Sequence, residues 1–240
     1  MGRLLFYIPR HFGTDIQLRV GEPLFDVKLL LNNFPSLLNG AVISLQVTVL
    51  AIVFGIILGL FIALGRLSGS WIIRFICTAF VEFIRGTPLL VQIYIVYFAL
   101  PQFGIQLDPI PAGVLAIGVN SGAYNSEIFR GGIQSIDKGQ TEAAKSQGMT
   151  YWQTMRYIIL PQALRRIIPP LGNEFVTLIK DSSLVSVMSV HELTFRANLV
   201  AARSYNYFTM YIGTAIIYFV MTFITSKLLG LLERRLRISD

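Results

Sequence analysis

A single cysteine, Cys77, stands in the 240 residues, which excludes an internal disulfide and any thiolate-rich metal site. Charge is also scarce: Asp, Glu, Lys and Arg make up 14% of the chain, against about 25% in soluble domains. No Gly-x-x-x-x-Gly-Lys-Ser/Thr loop occurs, so the chain has no recognisable phosphate cradle and is not expected to hydrolyse ATP itself. No short apolar core followed by a small-residue cleavage site precedes position 30, so a removed leader is not expected, and the first long apolar run must direct insertion. No metal or organic cofactor is implied.

What the chain has instead is apolar length. Apolar residues are 54% of the total and the mean hydropathy is +0.63, values of an integral membrane protein. Ala41–Leu64 runs 24 residues without a charge, about 36 Å of helix, enough to cross a hydrocarbon core of about 30 Å. Tyr207–Ser226 is a second uncharged run. Three further runs carry charges and are expected to face protein or water rather than lipid: Trp71–Ala99, Ala112–Ser126 and Leu171–Val190. Together they predict an all-α protein with about five crossings.

The distribution of basic residues predicts its orientation. Arg66, Arg74, Lys138, Lys145, Arg156, Arg165, Arg166, Lys227, Arg234, Arg235 and Arg237 fall on one side, and Arg3, Arg10, Arg19, Lys28, Arg196 and Arg203 on the other. The richer side is cytoplasmic, with the C-terminus inside and the N-terminus outside. Residues 1–35 are then an extracytoplasmic or interfacial tail, 36–232 the membrane domain and 233–240 a cytoplasmic tail. The net charge of +7 reflects helix ends attracted to anionic headgroups rather than a nucleic-acid site.

Gly55 and Gly59, four apart on the first span, predict close approach of a neighbouring helix. In the second span Arg85-Gly86-Thr87-Pro88 predicts a break, with Thr87 as N-cap and Pro88 in the first turn of the restarted helix. Glu82 and Arg85, three apart, could pair. Glu82, Arg85 and Pro88 are thus either a salt-bridged kink or part of a gate. Asn120, Tyr124, Glu127 and Gly131 recur at steps of four, three and four, a polar stripe on one helix face. It is either a wet wall for a zwitterionic solute or glue between helices. After Pro169-Pro170, the expected start of the fourth span, Asn173, Thr177 and Lys180 share a face with Leu184, and Asp181 and Ser182 lie beside them. Lys180 and Asp181 either contact a solute or pair with each other.

Between these spans lies a polar loop, residues 136–166. Glu142 through Met155 are rich in helix formers and interrupted by Gly148, and Pro161 is expected to stop any helix, so a short helix, a turn and a second short helix are predicted.

Glu142-Ala143-Ala144, three residues, Gly148, nine residues and Ile158-x-Leu160-Pro161 resemble the cytoplasmic signature loop of permease subunits from ATP-driven (ABC) importers. Further segments extend the likeness: Glu82-Phe83-Ile84-Arg85-Gly86-Thr87-Pro88-Leu89-Leu90-Val91-Gln92, Tyr124-Asn125-Ser126-Glu127-Ile128-Phe129-Arg130-Gly131, Leu160-Pro161-Gln162-Ala163 and Lys180-Asp181-Ser182-Ser183-Leu184. Together they resemble the polar amino acid branch of that superfamily, over roughly residues 35 to 236.

The resemblance implies a type I ABC importer permease architecture with a coupling helix in the cytoplasmic loop, in a bacterial plasma membrane. It implies two ATP-binding partner subunits, a second permease chain, identical or homologous, an extracytoplasmic solute-binding protein and an amino acid substrate. Glu142, Ala143, Ala144 and Gly148 are then the ATPase-coupling residues, with the two alanines letting the tip enter a groove of the ATPase. Gln92, Asn120, Tyr124, Glu127, Lys180, Asp181 and Ser182 are the substrate-binding candidates. Two acids and one lysine among them lean towards a cationic amino acid.

Two other classes compete. Broken helices and buried charge also suit an ion-coupled secondary transporter or channel. Ser121 with His191 as base is the expectation of an intramembrane serine protease, although the residues around Ser121 are one position out of the Gly-x-Ser pattern.

Overall fold

A computed structural model describes residues 24–236, and every regular element in that range is helical. The expectations placed on residues 1–23 and 237–240, including the positions of Arg3, Arg10, Arg19 and Arg237, lie outside the described residues.

Helix α1 (Val27–Arg66) starts on Asp26, whose carboxylate accepts from the Leu29 amide at 2.9 Å. It therefore begins nine residues before the expected domain boundary and carries Pro35 inside it. α2 (Trp71–Arg85) and the helical segment that opens with α3 (Leu89–Tyr94) and ends at Phe103 form one broken unit, bent by 103°. α4 (Pro109–Gln134) follows, then the short α5 (Lys138–Ser146). α6 (Tyr151–Thr154) runs through a π turn (Met155–Ile159) into α7 (Leu160–Asp181), which tightens into a 3₁₀ segment, Ser182–Met188. α8 (Leu193–Ser204) and α9 (Tyr207–Leu236) complete the order.

By length and apolarity, α1, α9 and the bent unit are each suited to cross a bilayer. α4, at 26 residues or about 39 Å, is long enough but polar, because its neighbours cover it. The glycines of α1 permit that cover. A Cβ on Gly55 would stand 2.8 Å from Ser121 Oγ, and one on Gly59 2.7 Å from the Asn125 Cβ, so α1 and α4 touch where any larger residue would force them apart. Along this seam Ser121, Asn125 and Ser126 are fully buried. An apolar core of Val47, Ile93, Ile117, Leu178, Val185 and Met188 joins α1, α3, α4 and the α7 unit.

Two expectations about proline are corrected. Pro161 does not stop a helix: residues 151–181 are continuously helical across it. The Leu160 amide reaches back five residues to the Met155 carbonyl, and this widened π turn accommodates the chain just where the proline ring enters. Pro169 and Pro170 lie inside α7, nine and ten residues after its start, rather than at its beginning. The carbonyls they leave unpaired belong to Arg165 and Arg166, both exposed, where water or headgroups can satisfy them.

At the opposite end a carboxylate with no forecast role ties three helices together. Glu192 is fully buried and caps α8, accepting from the amides of Phe195 at 2.6 Å and Thr194 at 2.9 Å. It also accepts from Tyr218 Oη of α9 at 2.9 Å and Ser44 Oγ of α1 at 3.2 Å. Glu192→Ala removes the cap and leaves several buried donors unpaired, so a loss of at least about 2 kcal/mol is expected, seen as a lowered thermal midpoint in lipid nanodiscs. Glu192→Gln, which keeps an acceptor oxygen, should lose clearly less; equal losses would contradict this reading of the cap.

Candidate functional site

The break between α2 and α3 occurs where the sequence suggests, but the cap differs. Pro88, not Thr87, is the N-cap of α3. The Thr87 hydroxyl instead donates back to the Phe83 carbonyl at 3.0 Å, satisfying the frayed end of α2. Gln92 closes the bend: its Nε2 donates to the Ile84 carbonyl at 2.7 Å and to Thr87 Oγ1 at 2.9 Å, and its Oε1 accepts from Asn120 Nδ2 at 3.0 Å. Gln92 and Asn120 are each 7% exposed. Two substrate-binding candidates are thus brought together, and what they bind here is each other and the broken backbone.

One turn further along α4, Tyr124 is 39% exposed, the one exposed position between Ala112 and Arg130. The Arg85 guanidinium lies over its ring, 5.3 Å from the centroid. Below it Glu127 gathers three arginines. Arg66 Nη1, from the end of α1, is 2.6 Å from Oε1; Arg130 Nη2 is 2.5 Å from Oε2; Arg85 Nη1 is 3.4 Å from Oε1. The Glu82–Arg85 pair that the sequence allows is not among the ion pairs of the described residues: Arg85 lies over Tyr124 and 3.4 Å from Glu127, both on α4. Glu127 is not the unpaired acceptor its sequence position suggested, and the inner stripe carries three cations on one anion.

On α7 the exposed positions between Leu171 and Asp181 are Asn173, Thr177 and Lys180, all polar. The Lys180–Asp181 pair allowed by sequence is not among the ion pairs of the described residues, all of which centre on Glu127. Asp181 is partly buried, and Ser182 is fully buried with its hydroxyl donating to the Ile179 carbonyl at 2.7 Å. The exposed faces of α1 and α9 are by contrast aliphatic and aromatic, among them Leu50, Ile57, Phe61, Ile216, Phe219 and Phe223. Apolar outer faces suit hydrocarbon; the polar face on α7 suits water or a protein partner.

The loop forms the predicted helix, turn and helix up to the π turn. Asp137 caps α5, and α5 ends in a Schellman motif: the Gly148 amide donates to the Lys145 carbonyl at 2.9 Å and the Met149 amide to the Ala144 carbonyl at 3.1 Å. Gly148 has φ +75°, the left-handed region that an L residue resists. Thr150 and Gln153 then form a capping box for α6. Glu142 and Ala143 are exposed, but Ala144 is 5% exposed and faces inward, so its small side chain fits α5 against its own chain rather than reaching outward.

Ser121 is fully buried, its Oγ accepting from Asn125 Nδ2 at 3.1 Å, and His191 stacks on Phe195 with ring centroids 4.8 Å apart. A nucleophile sealed into the α1–α4 seam, with its supposed base engaged elsewhere, removes the protease reading. Arg66 and Glu192 are the residues that sequence reasoning missed. Glu127 lies 61 positions from Arg66, and Ser44 lies 148 from Glu192, so no local pattern connects either pair.

The family described as binding-protein-dependent transport system inner membrane component matches residues 51–238. The chain is 41% identical over 216 residues to the glutamine transport system permease protein GlnP of Escherichia coli strain K12, covering 89% of this chain and 99% of that one. It is 44% identical over 204 residues to the L-cystine transport system permease protein TcyB of Bacillus subtilis strain 168, covering 85% and 87%. Among solved structures it superposes with TM-score 0.85 and 46% identity on an amino acid ABC transporter crystallised with histidines, over 88% of this chain and 98% of that chain. An inward facing MetNI methionine ABC transporter, at 18% identity and TM-score 0.66, shares the fold.

Proposed function

The chain belongs to the family of binding-protein-dependent transport system inner membrane components, and from that premise we propose that it is the permease subunit of an ATP-driven amino acid importer. The observation that carries this reading is the division of its surface: apolar faces on α1 and α9, a polar face of Asn173, Thr177 and Lys180 on α7, and a polar helical handle, α5, set on a chain otherwise built for lipid. The broken α2–α3 unit supports the same conclusion, since an interrupted helix at membrane depth is tolerated where it lines water or protein.

The permeation face comprises Tyr124 and Arg85 at the break and Asn173, Thr177, Lys180 and Asp181 on α7, with Gln92, Asn120 and Glu127 holding the wall behind them. Lys180 beside Asp181 matches both ends of a zwitterion, and Glu127, neutralised by arginines, no longer argues for a cationic substrate. A polar, zwitterionic amino acid is the substrate class we assign. Five crossings enclose too little space for a path, so a second permease chain completes it around a twofold or pseudo-twofold axis. An extracytoplasmic solute-binding protein delivers the amino acid from outside. Two ATP-binding subunits supply the energy, gripping Glu142, Ala143 and the Gly148 turn of each permease copy. The protein is multi-pass in the bacterial plasma membrane, with its N-terminus outside and α5 and the C-terminus in the cytoplasm. An ion-coupled transporter has no use for α5, and the relatives favour the ATP-driven class.

The direct test is uptake of labelled L-glutamine and L-histidine into proteoliposomes holding the complex, its ATP-binding subunits and its binding protein. Uptake of either that requires ATP supports the proposal; ion-driven uptake without those subunits contradicts it. Gly148→Val forces a β-branched residue to φ +75°, a strain of about 1–2 kcal/mol that frays the end of α5. ATP-driven uptake should fall several-fold while membrane insertion is unchanged, and Gly148→Asn, which tolerates that conformation, should retain most of it. Orientation is read from single cysteines in a Cys77→Ser background. A membrane-impermeant maleimide should label Gln147→Cys only from inside and Tyr205→Cys only from outside.

A further inference from the structure

We propose that Arg85, held over Tyr124 at the break between α2 and α3, receives the carboxylate of the amino acid on its way into the cytoplasm. This rests on the proposed function and adds to it the chemical group recognised and the residue that recognises it.

The three arginines around Glu127 are not equivalent. Arg66 is 9% exposed and 2.6 Å from Oε1, an internal ion pair. Arg130 reaches Oε2 with both Nε at 3.2 Å and Nη2 at 2.5 Å, and gives Nη1 to Gln134 Oε1 at 2.7 Å. Those two neutralise the carboxylate and occupy both of its oxygens. Arg85 has a single long contact to Glu127, 3.4 Å, and is 40% exposed, so among the described residues most of its five N–H donors are unused and its charge is uncompensated. The guanidinium carbon stands over the Tyr124 ring, 5.3 Å from its centroid, a cation–π contact that uses none of its N–H donors. The planar guanidinium fork suits the two oxygens of a carboxylate.

Location decides what kind of anion arrives. Tyr124 is the one exposed position on the central stretch of α4, and the neighbouring backbone at Gly86 and Pro88 is exposed too. Interrupted backbone is not left facing hydrocarbon, so this patch borders water. Arg66 closes α1 and Arg85 closes α2, which places the patch at the cytoplasmic end in the proposed orientation. A lipid phosphate carries similar oxygens and is the competing source.

Equilibrium binding to the complete permease–ATPase complex, without its binding protein, separates these cases. The probes are labelled L-glutamine and L-histidine and the corresponding amino acid amides, in nanodiscs of phosphatidylcholine with or without phosphatidylglycerol. The wild type should favour the amino acid it transports over the amide by about tenfold or more. Arg85→Gln should weaken binding of the amino acid by a similar factor, leave the amide nearly unchanged and so erase the preference, whereas Arg85→Lys keeps part of it. Equal weakening of acid and amide marks a structural role for Arg85 and overturns the proposal. So does an unchanged preference accompanied by loss of a phosphatidylglycerol effect, which assigns Arg85 to lipid. So does a wild-type complex that transports one of these amino acids yet shows no preference for its carboxylate. If the complex transports neither amino acid, this inference and the substrate assignment beneath it both fall.

Discussion

The end of this molecule that carries α5 depends on one carboxylate. Glu127 of α4 pairs with Arg66 from the end of α1 and with Arg130 from its own next turn, while Arg85 from the end of α2 stands 3.4 Å away. Arg66, 9% exposed, is costly to bury alone, and stripping it of its partner can cost about 3–5 kcal/mol. The pair fixes where α1 meets α4. α4 ends at Gln134, and α5 begins only four residues later at Lys138. A displacement of α5 therefore arrives at the helix that carries Glu127. Ala144, buried against the chain, and the Arg166 side chain, which donates to the Ser135 carbonyl, keep that connection short and stiff. Push and response are linked by packed helix and hydrogen bond rather than by a loose loop.

The opposite end is organised differently. There Glu192 is a cap and a knot, satisfied by two amides and two hydroxyls from α8, α9 and α1, with no arginine among those donors. Between the two lies the α1–α4 seam, made close by Gly55 and Gly59 and filled with small hydroxyls and amides. Small residues at such a seam let two helices pack closely, and they leave the polar face of α7 for other partners.

The sequence announced what depends on near neighbours. Uncharged runs announced α1 and α9; the glycine spacing announced close packing; Arg85 to Pro88 announced a break; Gly148 announced the end of α5. Where it misled, a longer-range condition prevailed. Pro161 was expected to end a helix, because that rule assumes the regular i to i−4 ladder, and a π turn precedes it. Pro169 and Pro170 were expected to begin one, but their orphaned carbonyls lie on an exposed face. Glu82 looked like the partner of Arg85 because it is three residues away, whereas Arg85 faces a carboxylate 42 residues distant on α4. Among the candidate residues, Gln92, Asn120 and Ser182 proved to be buried and bonded within the chain, while Tyr124 and Lys180 remained at the surface. Polar residue type signals that a position is not for lipid; which partner it takes is set only by tertiary packing.

The central claim is that Glu127 fastens the end of α1 to α4. Amide hydrogen exchange on the complex in nanodiscs, wild type against Glu127→Gln, tests it most directly. Exchange should rise at the end of α1, residues 62–66, and remain unchanged in α8 and the first turns of α9. Unaltered exchange at residues 62–66 would contradict the account.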